Sequence, residues 1–114
     1  MTNGLAIFIG GGLGSLARWM MVAKFHPPLG TLLVNWLGSL VIGYLAQKLA
    51  GEHLWISLFC IGILGGFTTF SAFSWDVLKL SGTNFEWKAL TYILASVIGA
   101  IALCFLGRNL AIKF

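Results

Sequence analysis

Four apolar runs, each about as long as a membrane is thick, dominate this chain. A helix needs roughly 20 apolar residues to cross the ~30 Å hydrocarbon core of a bilayer. Runs of that size fit at residues 4–25, 29–49, 54–79 and 85–108. The first ends at His26-Pro27-Pro28, where proline cannot continue a helix. The second stops between Lys48 and His53, and Ser81-Gly82-Thr83-Asn84 separates the third from a fourth that begins at Phe85 or Trp87. Trp19, Trp55, Trp75 and Trp87 stand near segment ends, where amphipathic indoles favour the interface. Only 9% of the 114 residues are charged and the mean hydropathy is +0.95, whereas a soluble domain carries about a quarter charged residues. The expectation is an all-α integral membrane protein of one domain, residues 1–114, with no soluble domain beside the spans. The first run lacks a basic leader and continues into further apolar segments, which argues against a cleaved signal peptide. Cys60 and Cys104 both lie inside apolar runs and read as small hydrophobes, not as a disulfide or a metal site.

The third run contains an anomaly, Gly62-Ile63-Leu64-Gly65-Gly66-Phe67-Thr68-Thr69-Phe70-Ser71-Ala72-Phe73-Ser74. In hydrocarbon every backbone N–H and C=O needs a partner, so irregular backbone survives there only under cover of protein or beside a water-filled cavity. A helix broken near residues 65–70 is therefore one reading, and its freed carbonyls and amides suit an ion site. A kinked, glycine-packed helix whose threonines bond back to their own carbonyls is the other.

Polar residues elsewhere point toward the same depth. Gly10, Gly11, Gly12, Gly14 and Ser15 form a small-residue face on the first segment that lets another backbone approach. Arg18 follows one turn later, either snorkelling to the interface or serving a structural or anion-attracting role. On the second segment Thr31, Asn35 and Ser39 recur at every fourth position, hence on one face. A carboxamide this deep is costly unless it bonds across helices or meets water, so Asn35 is either interhelical glue or a pore donor. Tyr92, Ser96, Ala100 and Cys104 make a polar track on the fourth segment that fades toward its C-terminal end.

An even number of spans puts both termini on one side, which collects Lys48, Arg108 and Lys113, while the other collects Lys24, Lys79 and Lys88. Lys/Arg bias sets orientation, and three against three gives almost none. Dual insertion, with an antiparallel homodimer as its product, follows as an expectation; a single orientation read from Arg18 is the alternative. The net charge of +4 is spread over both faces, which gives nucleic-acid binding no support. Glu52, Asp76 and Glu86 read as near segment ends, so no titratable group marks the middle of a span as proton-coupled transport requires. No nucleophile–base pair, carboxylate pair or phosphate loop is present for catalysis, and no enzyme activity is expected.

Three blocks carry a resemblance: Gly11-Gly12-x-Gly14-xxx-Arg18-Trp19, Gly30-Thr31-Leu32-x-Val34-Asn35-xx-Gly38-Ser39, and Gly65-Gly66-Phe67-Thr68-Thr69-Phe70-Ser71-Ala72-Phe73. In order and spacing they resemble the signature blocks of the Fluc family of bacterial fluoride channels, over the whole chain. The resemblance implies a multi-pass protein of the bacterial plasma membrane and a dual-topology homodimer with two antiparallel pores, each built from both subunits. Those pores export fluoride that accumulates when hydrofluoric acid enters and dissociates in the cytoplasm. It also implies pore roles for Phe70, Phe73 and Asn35, with Thr31 on the face of Asn35 and with Tyr92 and Ser96 opening the fourth-segment track. Main-chain carbonyls of Gly65 and Thr68 are implied to hold a structural sodium ion on the dimer axis. Ala100 and Cys104 depart from the pattern, standing where members often carry hydroxyls.

The chemistry suits that assignment. A small, strongly hydrated anion needs donors in place of water, and the Asn35 amide, hydroxyls and the positive edges of Phe70 and Phe73 supply them. Carbonyl oxygens suit a monovalent cation without any carboxylate. A drug/proton antiporter of the small multidrug resistance type shares the length and the weak charge bias, but depends on a glutamate in its first helix; residues 4–25 contain no acidic residue.

Overall fold

A computed structural model describes residues 1–82 and 86–114, so Thr83, Asn84 and the Phe85 start of the fourth segment lie outside the described residues. Helices account for all regular structure among the described residues. They are α1 (Thr2–Phe25), α2 (Leu29–Lys48), α3 (His53–Trp55), a π-helical stretch (Ile56–Leu64), α4 (Gly65–Phe67), α5 (Phe70–Ser81) and α6 (Trp87–Lys113). Four segments are long and apolar enough to cross a membrane, Thr2–Phe25, Leu29–Lys48, His53–Ser81 and Trp87–Lys113, as the apolar runs predict. The longest dimension of the chain is 46 Å, close to a bilayer with its headgroups.

Close backbone approach decides which segments touch. The buried residues of α1 are Gly10 and Gly14. A methyl group on Gly10 would come within 2.6 Å of the Leu58 carbonyl, and one on Gly14 within 2.8 Å of the Phe67 amide. The small face of α1 therefore seats the third span, although Gly12 faces open space. Spans two and four run in the same direction and meet along their length. There Gly43 lies against the Cys104 carbonyl, Gly107 against that of Leu40, and the Trp36 indole donates to the Ala95 carbonyl at 3.1 Å.

The third span changes winding twice. It opens as α3, widens into the π-helical stretch, and returns to α-helix at Gly65, whose amide donates to the Cys60 carbonyl. Helix ends at Phe67. Thr68 (φ −80°, ψ 154°) and Thr69 (φ −150°, ψ 119°) are extended, and α5 begins at Phe70. The two threonines divide the work of the interruption. Thr68 closes the helix behind it, its amide and its hydroxyl both donating to the Leu64 carbonyl at 2.9 Å. Thr69 caps the helix ahead, its Oγ1 accepting the Ala72 amide at 3.1 Å in the ordinary N-cap manner.

Candidate functional site

Breaking a helix frees polar groups, and neighbouring segments take them up. Asn35 meets Thr69 in a two-point amide pair: its Oδ1 accepts the Thr69 N–H at 2.7 Å and its Nδ2 donates to the Thr69 carbonyl at 2.9 Å. From α1, Ser15 Oγ donates to the Gly66 carbonyl and Arg18 Nη1 to that of Thr68, each at 3.4 Å. Both contacts are longer than the favourable range and weaker than the Asn35 pair. Interhelical bonding is thus an observed role of Asn35, and Arg18 turns inward to the break instead of snorkelling outward. In the sequence only the small-residue face of α1 and its one-turn spacing to Arg18 hinted at this.

The break costs the carbonyls of residues 65 to 68 their helical partners, those of Gly65 and Thr68 among them. That of Gly65 would pair with the Thr69 amide, which Asn35 takes; that of Thr68 would pair with the Ala72 amide, which the Thr69 hydroxyl takes. These are the two carbonyls expected to hold sodium, and hard oxygen donors freed from helix pairing fit a monovalent cation. Gly65 is also exposed. The Arg18 guanidinium beside the Thr68 oxygen leaves that carbonyl one lone pair for another partner.

Beside the break lies a cavity of about 320 Å³ lined by Asn35, Ser39, Ile42, Thr68, Thr69, Phe70, Phe73, Ser96, Val97, Ala100 and Ile101. Four expected pore residues, Asn35, Phe70, Phe73 and Ser96, meet there. The rings of Phe70 and Phe73 sit 5.3 Å apart, edge toward face at 62°. Phe73 is 6% exposed, whereas Phe70 is 76% exposed, an aromatic wall with no cover on its outer side. Ser96 Oγ is buried and meets no partner at good hydrogen-bond geometry among the described residues, the Tyr92 hydroxyl being its polar neighbour, an expensive state for a hydroxyl away from water.

Thr31 and Tyr92 stand apart from this cavity. Thr31 is 1% exposed, and Tyr92, whose ring lies 5.4 Å from that of Phe73, donates its hydroxyl hydrogen to Asp76 Oδ2 at 3.0 Å. Asp76 keeps its place toward the end of the third span, beside Pro27 and Pro28; its burial is what the sequence reading did not mark. It is 3% exposed in the body of α5, and its other oxygen lies 3.2 Å from Lys79 Nζ. The signal was available, since Asp76 follows Phe73 by three residues and shares its helix face.

Further along the same seam a second cavity of about 480 Å³ is lined by Ile42, Gly43, Ala46, Gln47, Cys104, Phe105 and Arg108. The track on α6 therefore divides, with Ser96 and Ala100 on the first cavity and Cys104 on the second.

Four span-length helices, an interruption served by side chains of two neighbours, and a half-walled polar and aromatic groove beside it define a small multi-pass membrane protein built around a broken helix. Residues 5–108 match the family described as CrcB-like protein, Camphor Resistance (CrcB), and the chain belongs to that family. It is 40% identical over 109 residues to the "Fluoride-specific ion channel FluC" of Escherichia fergusonii, covering 87% of this chain and 85% of that one. It is also 39% identical over 120 residues to the "Fluoride-specific ion channel FluC 1" of Yersinia pestis, covering 96% and 94%. The family resemblance carried by the three sequence blocks is thereby borne out. The chain is a multi-pass bacterial membrane protein and not an enzyme.

Proposed function

We propose that this protein is a passive, fluoride-selective channel that lets the anion leave the cytoplasm, with the groove beside the break as part of its pathway. The observation that carries this reading is the Ser96 hydroxyl, a buried donor that meets no partner at good hydrogen-bond geometry among the described residues, on a cavity edged by Phe70 and Phe73. An occupant that accepts hydrogen bonds and favours ring edges answers both features. No Lys or Arg lines that cavity, so nothing there would hold an anion too tightly for it to leave.

In the same proposal the working unit is an antiparallel homodimer with two pores. The open side of Phe70 supports a second copy completing the wall, and the three-to-three charge count supports insertion both ways. Arg18 barely disturbs that count, because its charge is turned toward the Thr68 carbonyl. A sodium ion between two copies would be held by the Gly65 and Thr68 carbonyls of each and would tie the two breaks together.

Purified protein reconstituted in liposomes should discharge fluoride passively, followed with a fluoride electrode, and leave chloride inside. A well-formed dimer that passes no fluoride sinks the proposal. One observation favours a proton-coupled antiporter instead, since the buried carboxylate of Asp76 is the kind of group such transporters use. Fluoride flux that proceeds without a proton gradient, and that survives Asp76→Asn in intact dimers, removes that reading.

A further inference from the structure

The i+4 series on α6 does not stop at Cys104. Tyr92, Ser96, Ala100 and Cys104 are followed at the same spacing by Arg108, on a track that winds about 40° around the helix at each step and so keeps the guanidinium beside Cys104. Ser96 and Ala100 line the cavity beside the break, Cys104 and Arg108 line the next one along the α2/α6 seam, and Ile42 lines both. With Trp36 bonded to Ala95 and Gly43 against Cys104, Asn35 stands roughly ten residues below Arg108 along α6. That is about 15 Å at 1.5 Å per residue, which carries the seam from the middle of the membrane to its surface.

Between those levels the α6 side of the wall offers an anion little, the donors there being Ser39 and Gln47 on α2. Ala100 has no donor and Cys104 only a weak one. At the outer end Arg108 is exposed, lies over the Phe105 ring at 5.7 Å, and pairs with no acidic side chain among the described residues. An unneutralised cation at the mouth of a groove with low-dielectric walls raises the local concentration of anions and speeds their entry.

We propose that Arg108 is the anion-collecting residue at the terminus-side mouth of the pathway, setting the rate at which fluoride enters the α2/α6 groove. The proposal rests on the channel reading above and adds to it a role for a fixed charge outside the narrow part. A plain interface anchor would sit at the same depth, so the test must separate a charge in the groove from a charge on that membrane face.

The measurement is passive fluoride efflux per reconstituted dimer, at ionic strengths of about 0.01 M and 1 M, where the screening length falls from ~30 Å to ~3 Å. Wild-type efflux should be faster at the low value. Arg108→Gln should slow it about tenfold there, within the usual range for electrostatic steering, and converge on wild type at the high value. Arg108→Lys should retain most of the rate. Arg108→Gln combined with Asn109→Lys restores the charge count of that face away from the groove, and should stay slow. Rescue by that double variant, an equal loss at both ionic strengths, or wild-type efflux indifferent to ionic strength overturns the proposal while leaving the channel reading intact. Wild-type dimers that pass no fluoride at all overturn both.

Discussion

Asn35 shows how one side chain can hold a structure and border a cavity at once. Its carboxamide satisfies the Thr69 N–H and C=O together, two groups that would each cost about 1–3 kcal/mol if left bare. Asn35→Asp keeps the acceptor for the Thr69 amide but sets a second acceptor against the Thr69 carbonyl. The expected outcome is a loss of about 2 kcal/mol or more, seen as a lower melting temperature, so its flux must be counted per folded dimer. The two phenylalanines should separate in the same assay. Phe73 is buried and Phe70 exposed, so Phe73→Ile should lower stability by roughly 1–2 kcal/mol while Phe70→Ile leaves it nearly unchanged. Under the proposed function both should stop fluoride flux in dimers that do form. Residue identity marked Asn35 as anomalous but left glue and donor open, because either role cancels the same desolvation cost. The thiols divide in a similar way: Cys104 borders the outer cavity and Cys60 is buried. A water-soluble thiol reagent should therefore add a single adduct, assigned to Cys104 by mass spectrometry.

At the scale of the element, the interruption was legible and the winding before it was not. Two glycines followed by two threonines at the centre of an apolar run offer a break as one of two readings; glycines alone do not decide it, since α1 carries Gly10, Gly11, Gly12 and Gly14 in an unbroken helix. Ile56–Leu64 gives no comparable sign, because a largely apolar stretch satisfies its backbone in a π-helix as well as in an α-helix. The burial of Asp76 was hidden for a related reason: a position toward the end of a span, beside Pro27 and Pro28, looks solvated in the sequence yet is covered by the neighbouring turn. The cap at Thr69 connects this element to the proposed cation. Thr69→Val removes the acceptor for the Ala72 amide, at a cost of about 1 kcal/mol, and lets that amide return to the Thr68 carbonyl. If that carbonyl is a sodium ligand, wild-type dimers should loosen when sodium is replaced by N-methylglucamine during purification, and Thr69→Val dimers should no longer respond. Equal behaviour of the two proteins on size exclusion would count against the ligand role.

For the whole molecule, the apolar exterior was plain from composition, but its division between lipid and partner was not, since hydrocarbon and an apolar protein face select the same side chains. Under the proposed dual insertion, orientation rests on the charge count. Adding one lysine to the terminus side, for example Thr2→Lys, should bias insertion, so that reporters fused to the C-terminus show mostly one orientation; unchanged mixed signals would argue against charge as the determinant. The service of the break also has a consequence for how the protein is made. Ser15, Arg18 and Asn35, the residues that reach the interruption from other segments, all precede it in the chain. A ribosome delivering the chain from its N-terminus therefore has the donors waiting before the costly backbone arrives. Residues 50–114 synthesised alone would meet the bilayer with those groups bare, and should be degraded in cells unless residues 1–49 are produced alongside them.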